Sequence, residues 1–117
     1  MMGRPHYDLA AWQEAMRLAR AIYEITRGFP RDEMYGLTAQ MRRAAVSVPS
    51  NLAEGAARPG RKEFAQFLGI AKGSLSELET QLLLAADLGY ISREHEVFSL
   101  AEHVAKLLTG LHKKVAN

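Results

Sequence analysis

The segment Arg42–Gly55, RRAAVSVPSNLAEG, constrains the fold more than any other part of this 117-residue chain. Its small apolar residues read as helix, yet Pro49 sits in the middle. A proline in a helix interior removes a backbone donor, clashes with the preceding turn and costs about 3 kcal/mol. The segment is therefore either one helix kinked at Pro49 or two helices meeting there. Met34, Leu37, Met41, Ala44, Val48 and Leu52 hold one face in phase across the proline, which favours a kinked helix from about Glu33 to Ala57. Asn51-x-x-Glu54 competes, because it resembles a capping box and could open a new helix. In the kinked reading the carbonyls near Ala45 and Val46 lose a donor, and the Ser47 and Ser50 hydroxyls are the nearest replacements.

Three more segments carry a helical period, and none carries a strand pattern. The first spans about Asp8 to Arg27, with Asp8 as the N-cap and Gly28 as the stop. Leu9, Trp12, Met16, Ala19 and Tyr23 form its stripe, widened by Ile22 and Ile25. The third segment, about Lys62 to Leu88, has the cleanest stripe: Phe64, Leu68, Ala71, Leu75, Leu78, Leu82 and Ala85. Leu83 and Leu84 lie off that stripe and point to a second buried face. Gly69 and Gly73 sit one turn apart, and each costs a helix about 1 kcal/mol. They make sense where another backbone passes close. The fourth segment opens at Ser92 as N-cap and runs towards Lys113, with Val97, Leu100, Val104, Leu107, Leu111 and Val115 on its stripe. Arg58-Pro59-Gly60 and Gly89-Tyr90 are turns. The fold class that follows is all-α: a single domain over residues 1–117, an up-down-up-down antiparallel four-helix bundle with helix two kinked at Pro49.

Composition narrows the chemistry. The chain has no cysteine, which excludes disulfides, thiolate metal sites and cysteine nucleophiles. No apolar run approaches a membrane span, and MMGRPHYDL has no apolar signal region, so a soluble, cytoplasmic protein is expected. The residues three before His95, His103 and His112 are Ser92, Leu100 and Thr109, so the Glu-x-x-His motif of di-iron bundles is missing. No glycine loop fits a nucleotide fingerprint, and no serine has a credible base beside it. The expectation is a non-enzyme with no metal and no cofactor.

The net charge is only +2, but its distribution is uneven. Residues 1–62 hold ten Lys/Arg against six Asp/Glu, and residues 63–117 hold five against seven. Placing helices two and three antiparallel about Arg58–Gly60 sets Arg42 and Arg43 at the level of Glu77, with Glu79 a turn away, and sets Asn51 and Glu54 opposite Leu68 and Ala65. Arg42, Arg43, Asn51, Glu54, Glu77 and Glu79 are read as a structural polar core that fixes register. The competing reading makes them a ligand or nucleic-acid site. Buried charge survives only when paired, which favours the structural one.

The stretch Phe29–Arg58, FPRDEMYGLTAQMRRAAVSVPSNLAEGAAR, resembles the signature of a bacterial four-helix-bundle family. Members are found in intervening sequences of large-subunit ribosomal RNA genes and as free-standing genes. Phe64–Tyr90, FAQFLGIAKGSLSELETQLLLAADLGY, resembles the family's third helix, and Leu9 and Trp12 match its opening. The resemblance implies a left-handed antiparallel bundle that assembles as a ring-like homopentamer. The chain is also similar to the accessory protein of diversity-generating retroelements, a pentameric bundle that binds nucleic acid and a reverse transcriptase. No catalytic residues come with the family.

The functional expectation is an oligomeric bundle that binds RNA or DNA through basic surface repeated around a ring. Arg17, Arg20, Arg58, Arg61 and Lys62 are the candidate contacts. The last three occupy one exposed corner. The alternative is a protein-interaction scaffold that makes no nucleic-acid contact.

Overall fold

The 27-residue helix α3, Arg61–Asp87, sets the length of the molecule. At about 1.5 Å per residue it spans roughly 40 Å, close to the 43 Å long axis of the computed structural model, which describes residues 3–117. The other helices are α1 (Ala10–Thr26), α2 (Leu37–Ala56) and α4 (Val97–Ala116), and there is no strand among the described residues. Helix α1 packs on α2 and α4, and α3 packs on the same two, so α1 and α3 occupy diagonal corners. Short connectors make each sequential pair antiparallel, giving the expected up-down-up-down bundle. The stripes read for α2, α3 and α4 supply most of the core, with Met41, Val48, Leu52, Leu68, Leu78, Leu82 and Val104 fully buried, though Met34 is exposed. On α1 the stripe is displaced: Ala15, Leu18 and Ile22 are buried, whereas Leu9, Trp12 and Met16 are half-buried and Tyr23 is exposed.

Helix α2 runs through Pro49 without a break. Asn51 does not cap a new helix. Its Nδ2 donates to the Ser47 carbonyl at 2.8 Å and to Ser47 Oγ at 3.0 Å, which ties it into the turn before it. The Ser47 hydroxyl does not serve the carbonyls freed by the proline, as expected above. It pairs across the helix interface with Ser74 Oγ at 2.8 Å. Ser50 is exposed instead.

Three helix starts differ from expectation, each for a local reason. Pro5 opens a 3₁₀ turn, Pro5–Asp8, so Asp8 closes that turn and Leu9 becomes the uncapped start of α1. The Glu33 carboxylate delays α2: one oxygen accepts the Leu37 N–H at 3.1 Å and the other accepts the Tyr90 hydroxyl at 2.8 Å. That clasp joins the α1–α2 and α3–α4 connections, with Phe29 packed against the Tyr90 ring. Ser92 holds a turn through the Glu94 N–H, and His95 Nδ1 accepts the Val97 N–H at 2.9 Å, so the N-cap of α4 is Glu96, four residues later than expected.

The end of α3 is as read. Gly89 takes a positive φ of 80°, which a residue with a Cβ resists. Its N–H reaches Ala86 O and the Tyr90 N–H reaches Ala85 O, the two bonds of a Schellman stop. The expected close approach at Gly69 and Gly73 is absent within the bundle, for a Cβ at either would meet nothing within 4 Å. The close approach lies at Gly55, where a Cβ would stand 2.7 Å from Phe67 Cβ and 3.0 Å from Phe64 Cδ1. Leu83 and Leu84 are not buried by a second face of this chain; both are exposed.

Candidate nucleic-acid interface

Four orphan carbonyls close every helix, and they carry the negative end of its dipole. At the end of α4 these are met by Arg61, the first residue of α3. Its Nη2 donates to Lys114 O at 2.6 Å and to Asn117 O at 3.1 Å, and its Nε donates to Val115 O at 3.1 Å. Arg61 is thus a cap for α4 and not a free cation, which corrects the reading of three available charges at this corner. The cap brings the last turn of α4, with exposed Lys113 and Lys114, beside exposed Lys62.

Arg58 completes the group from the end of α2. Its guanidinium lies over the Phe67 ring, 5.0 Å from the centroid, and 3.7 Å from Glu54. Both side chains of that ion pair are largely exposed, so the pair is worth about 0–1 kcal/mol and leaves Arg58 able to contact solvent anions. Lys62, Lys113 and Lys114 form no ion pair among the described residues; Glu63 is the exposed acid nearest in sequence. Lys113 and Lys114 were missed from the sequence. The signal was present, since a fourth antiparallel helix must end beside the start of the third.

Arg17 and Arg20 lie elsewhere, about 10–15 Å along α1 from its start. Arg17 is held by Glu14 at 2.6 Å, and Glu14 also lies 3.8 Å from His103 of α4. Arg20 is exposed without an ion pair among the described residues, on the rim of a broad concavity of about 1210 Å³ that flanks α1. The five candidates therefore form a terminal group of three and a lateral pair, not one patch.

The proposed polar core is also rearranged. Arg42 turns to α1, not α3: Nε donates to Thr26 Oγ1 at 2.9 Å and the guanidinium lies 4.7 Å from the Tyr23 ring centroid. Arg43 is exposed and bonds Gln40 in its own helix. Glu54 and Glu77 are exposed, Glu77 accepting only a long bond from Gln81, so neither belongs to a core. Asn51 is half-buried as described, and so is Glu79. Burial raises the Glu79 carboxyl above its ordinary 4.5, and the neighbouring Glu102 charge raises it further. No group of three or more metal-ligating side chains forms among the described residues. No helix among them is long and apolar enough to cross a membrane.

The family model for the 23S rRNA-intervening sequence protein matches residues 7–110. The chain belongs to that family. A crystal structure of a protein of unknown function from the S23 ribosomal protein family, from Bacteroides thetaiotaomicron, superposes with a TM-score of 0.82 at 22% identity, covering 89% of this chain and 99% of that one. At that identity the likeness extends to the fold. No curated protein matches the chain.

Proposed function

We propose that this family member is a non-enzymatic, self-associating bundle that binds the backbone of RNA or DNA through its basic end. The observation that carries the reading is the Arg61 cap, which ties the last turn of α4, with exposed Lys113 and Lys114, to the start of α3, with exposed Lys62, four residues after exposed Arg58. Cations on flexible stems suit phosphate contact, and such contacts position a nucleic acid without reading its sequence. A single end with four cations binds weakly. Repetition in an oligomer raises the effective affinity without any new contact. The family's name, tied to an intervening sequence of ribosomal RNA, supports nucleic acid as the partner.

The test is a titration of labelled RNA and DNA against wild type and a Lys62→Ala, Lys113→Ala, Lys114→Ala variant. Affinity should fall with salt by a slope of about −0.9 per duplex phosphate contact, and the variant should lose most of that slope. Absence of binding at low salt would remove nucleic acid from the account. The second reading, a protein scaffold, would then stand on the exposed apolar residues of α3.

A further inference from the structure

The groove between α3 and α4 holds two basic groups that the bundle does not neutralise. Lys72 Nζ lies 3.5 Å from His112 Nδ1, a long contact across the two helices, and both residues are half-buried. Neither makes an ion pair among the described residues. An ammonium has only donors, so Lys72 donates here and the imidazole accepts with no proton on Nδ1. A half-buried ammonium with no acid and one long bond is poorly satisfied.

The surroundings open this pair to a ligand and set the ligand's sign. Gly69 lies one turn before Lys72 and Gly73 directly after it, and a Cβ at either would meet nothing within 4 Å. Helix α3 therefore offers bare backbone beside the ammonium. Ala65 is two turns before Lys72 on the same face, and it lines a recess of about 420 Å³ with Lys62, Val115 and Ala116. Val115 and Ala116 stand one turn beyond His112. The recess thus joins the basic end to the pair. At its mouth Arg61 covers the α4 carbonyls, whose negative dipole end would otherwise repel an anion. In the other direction Glu79 follows Lys72 by two turns and lies beside Glu102 of α4, which also holds Lys106 at 3.4 Å. The groove is basic from Lys62 to Lys72, about 15 Å along α3, and acidic beyond.

We propose that Lys72 and His112 clamp one backbone phosphate of a nucleic-acid strand that runs from the basic end into the α3–α4 groove. Phosphate oxygens accept from Lys72 Nζ and from His112 Nδ1, which takes a proton from solvent as the phosphate enters. The close approach expected of Gly69 and Gly73 is then made by the sugar–phosphate backbone of the strand. Glu79 and Glu102 end the track by repulsion. The charged groups near His112 are Lys72 on α3 and Lys113 on its own helix. Lys106 and Glu102 lie further along α4, and His6, His95 and His103 line the concavity flanking α1 instead. The inference rests on the nucleic-acid binding proposed above and adds to it a site and a proton.

The test measures affinity for one labelled RNA at pH 8 and at pH 6, at fixed low salt. The proteins are wild type, His112→Gln, Lys72→Met and Lys72→Arg, each checked for helicity and melting temperature. An imidazole ordinarily titrates near pH 6.5 and a neighbouring anion favours its charged form, so wild type should bind about 10-fold more tightly at pH 6. His112→Gln should lose most of that difference. Lys72→Met should lower the salt slope by about 0.7–0.9, the value of one phosphate contact, and Lys72→Arg should keep it. Ring signals of His112, assigned by their loss in His112→Gln, should shift when the RNA is added. A shift that saturates with inorganic phosphate alone would make this a free-anion site and overturn the assignment to a strand. If wild type binds but both His112→Gln and Lys72→Met match its pH dependence and salt slope, the inference falls and the functional proposal stands. If wild type fails to bind at low salt, both fall together.

Discussion

Arg42 caps the end of a neighbouring helix through Thr26. Its Nε donates to Thr26 Oγ1, which in turn donates to Ile22 O at 2.7 Å, and its Nη2 reaches Tyr23 O at 3.4 Å. Thr26 is buried, so loss of the arginine leaves a buried hydroxyl short of a donor. Arg42→Ala should cost about 1–3 kcal/mol in chemical denaturation, in the range for bonds to charged groups. Glu77→Ala should stay within about 0.5 kcal/mol, as expected for an exposed site away from special features.

The glycines give opposite predictions. A methyl at Gly55 would press on Phe67 Cβ and Phe64 in the tight α2–α3 crossing. Gly55→Ala should therefore destabilise by about 1–3 kcal/mol despite the better helix former. Gly73→Ala meets open space and should stabilise the isolated fold by up to about 1 kcal/mol. Thermal unfolding of both variants checks the pair.

Glu79 ties stability to pH. Its folded pKa lies above the unfolded value of about 4.5, chiefly through burial and then through Glu102. Between those two values the folded state binds more protons, so this residue's contribution falls as pH rises and levels off above the folded pKa. Glu79 is only partly buried, so screening holds the effect to less than about 1 kcal/mol. Glu79→Gln should be slightly more stable than wild type at pH 7, and the difference should vanish near pH 4. Denaturation series at the two pH values read it directly.

The bundle was legible because its stripes repeat over many turns; Leu68, Leu75 and Leu82 could face only a core. Boundaries were not legible, because the groups that start α2 and α4 are Glu33 and His95 and not the usual short caps. Register was legible and direction was not. The turn at Arg58–Gly60 sets the α2–α3 register that the Ser47–Ser74 pair displays, but the position of Arg42 around α2 turns it to α1. The basic end was half legible. Arg58 and Lys62 were visible in the turn, whereas Lys113 and Lys114 joined them only once Arg61 was seen to hold α4.

That hold predicts a separable role for Arg61. Arg61→Ala should fray the last turn of α4, costing about 1 kcal/mol and raising amide exchange around Lys113–Val115. Arg61→Lys should recover only part of this, because a point charge cannot serve three carbonyls at once.

The central claim is that a weakly basic end becomes a nucleic-acid site through repetition. The most direct measurement compares the affinity of wild type for a short labelled RNA that reaches one copy and for a long one that spans several, at the same low salt. The short RNA should bind about 100-fold or more weakly, because it cannot engage several basic ends at once. A short RNA that binds as tightly as the long one would contradict the account.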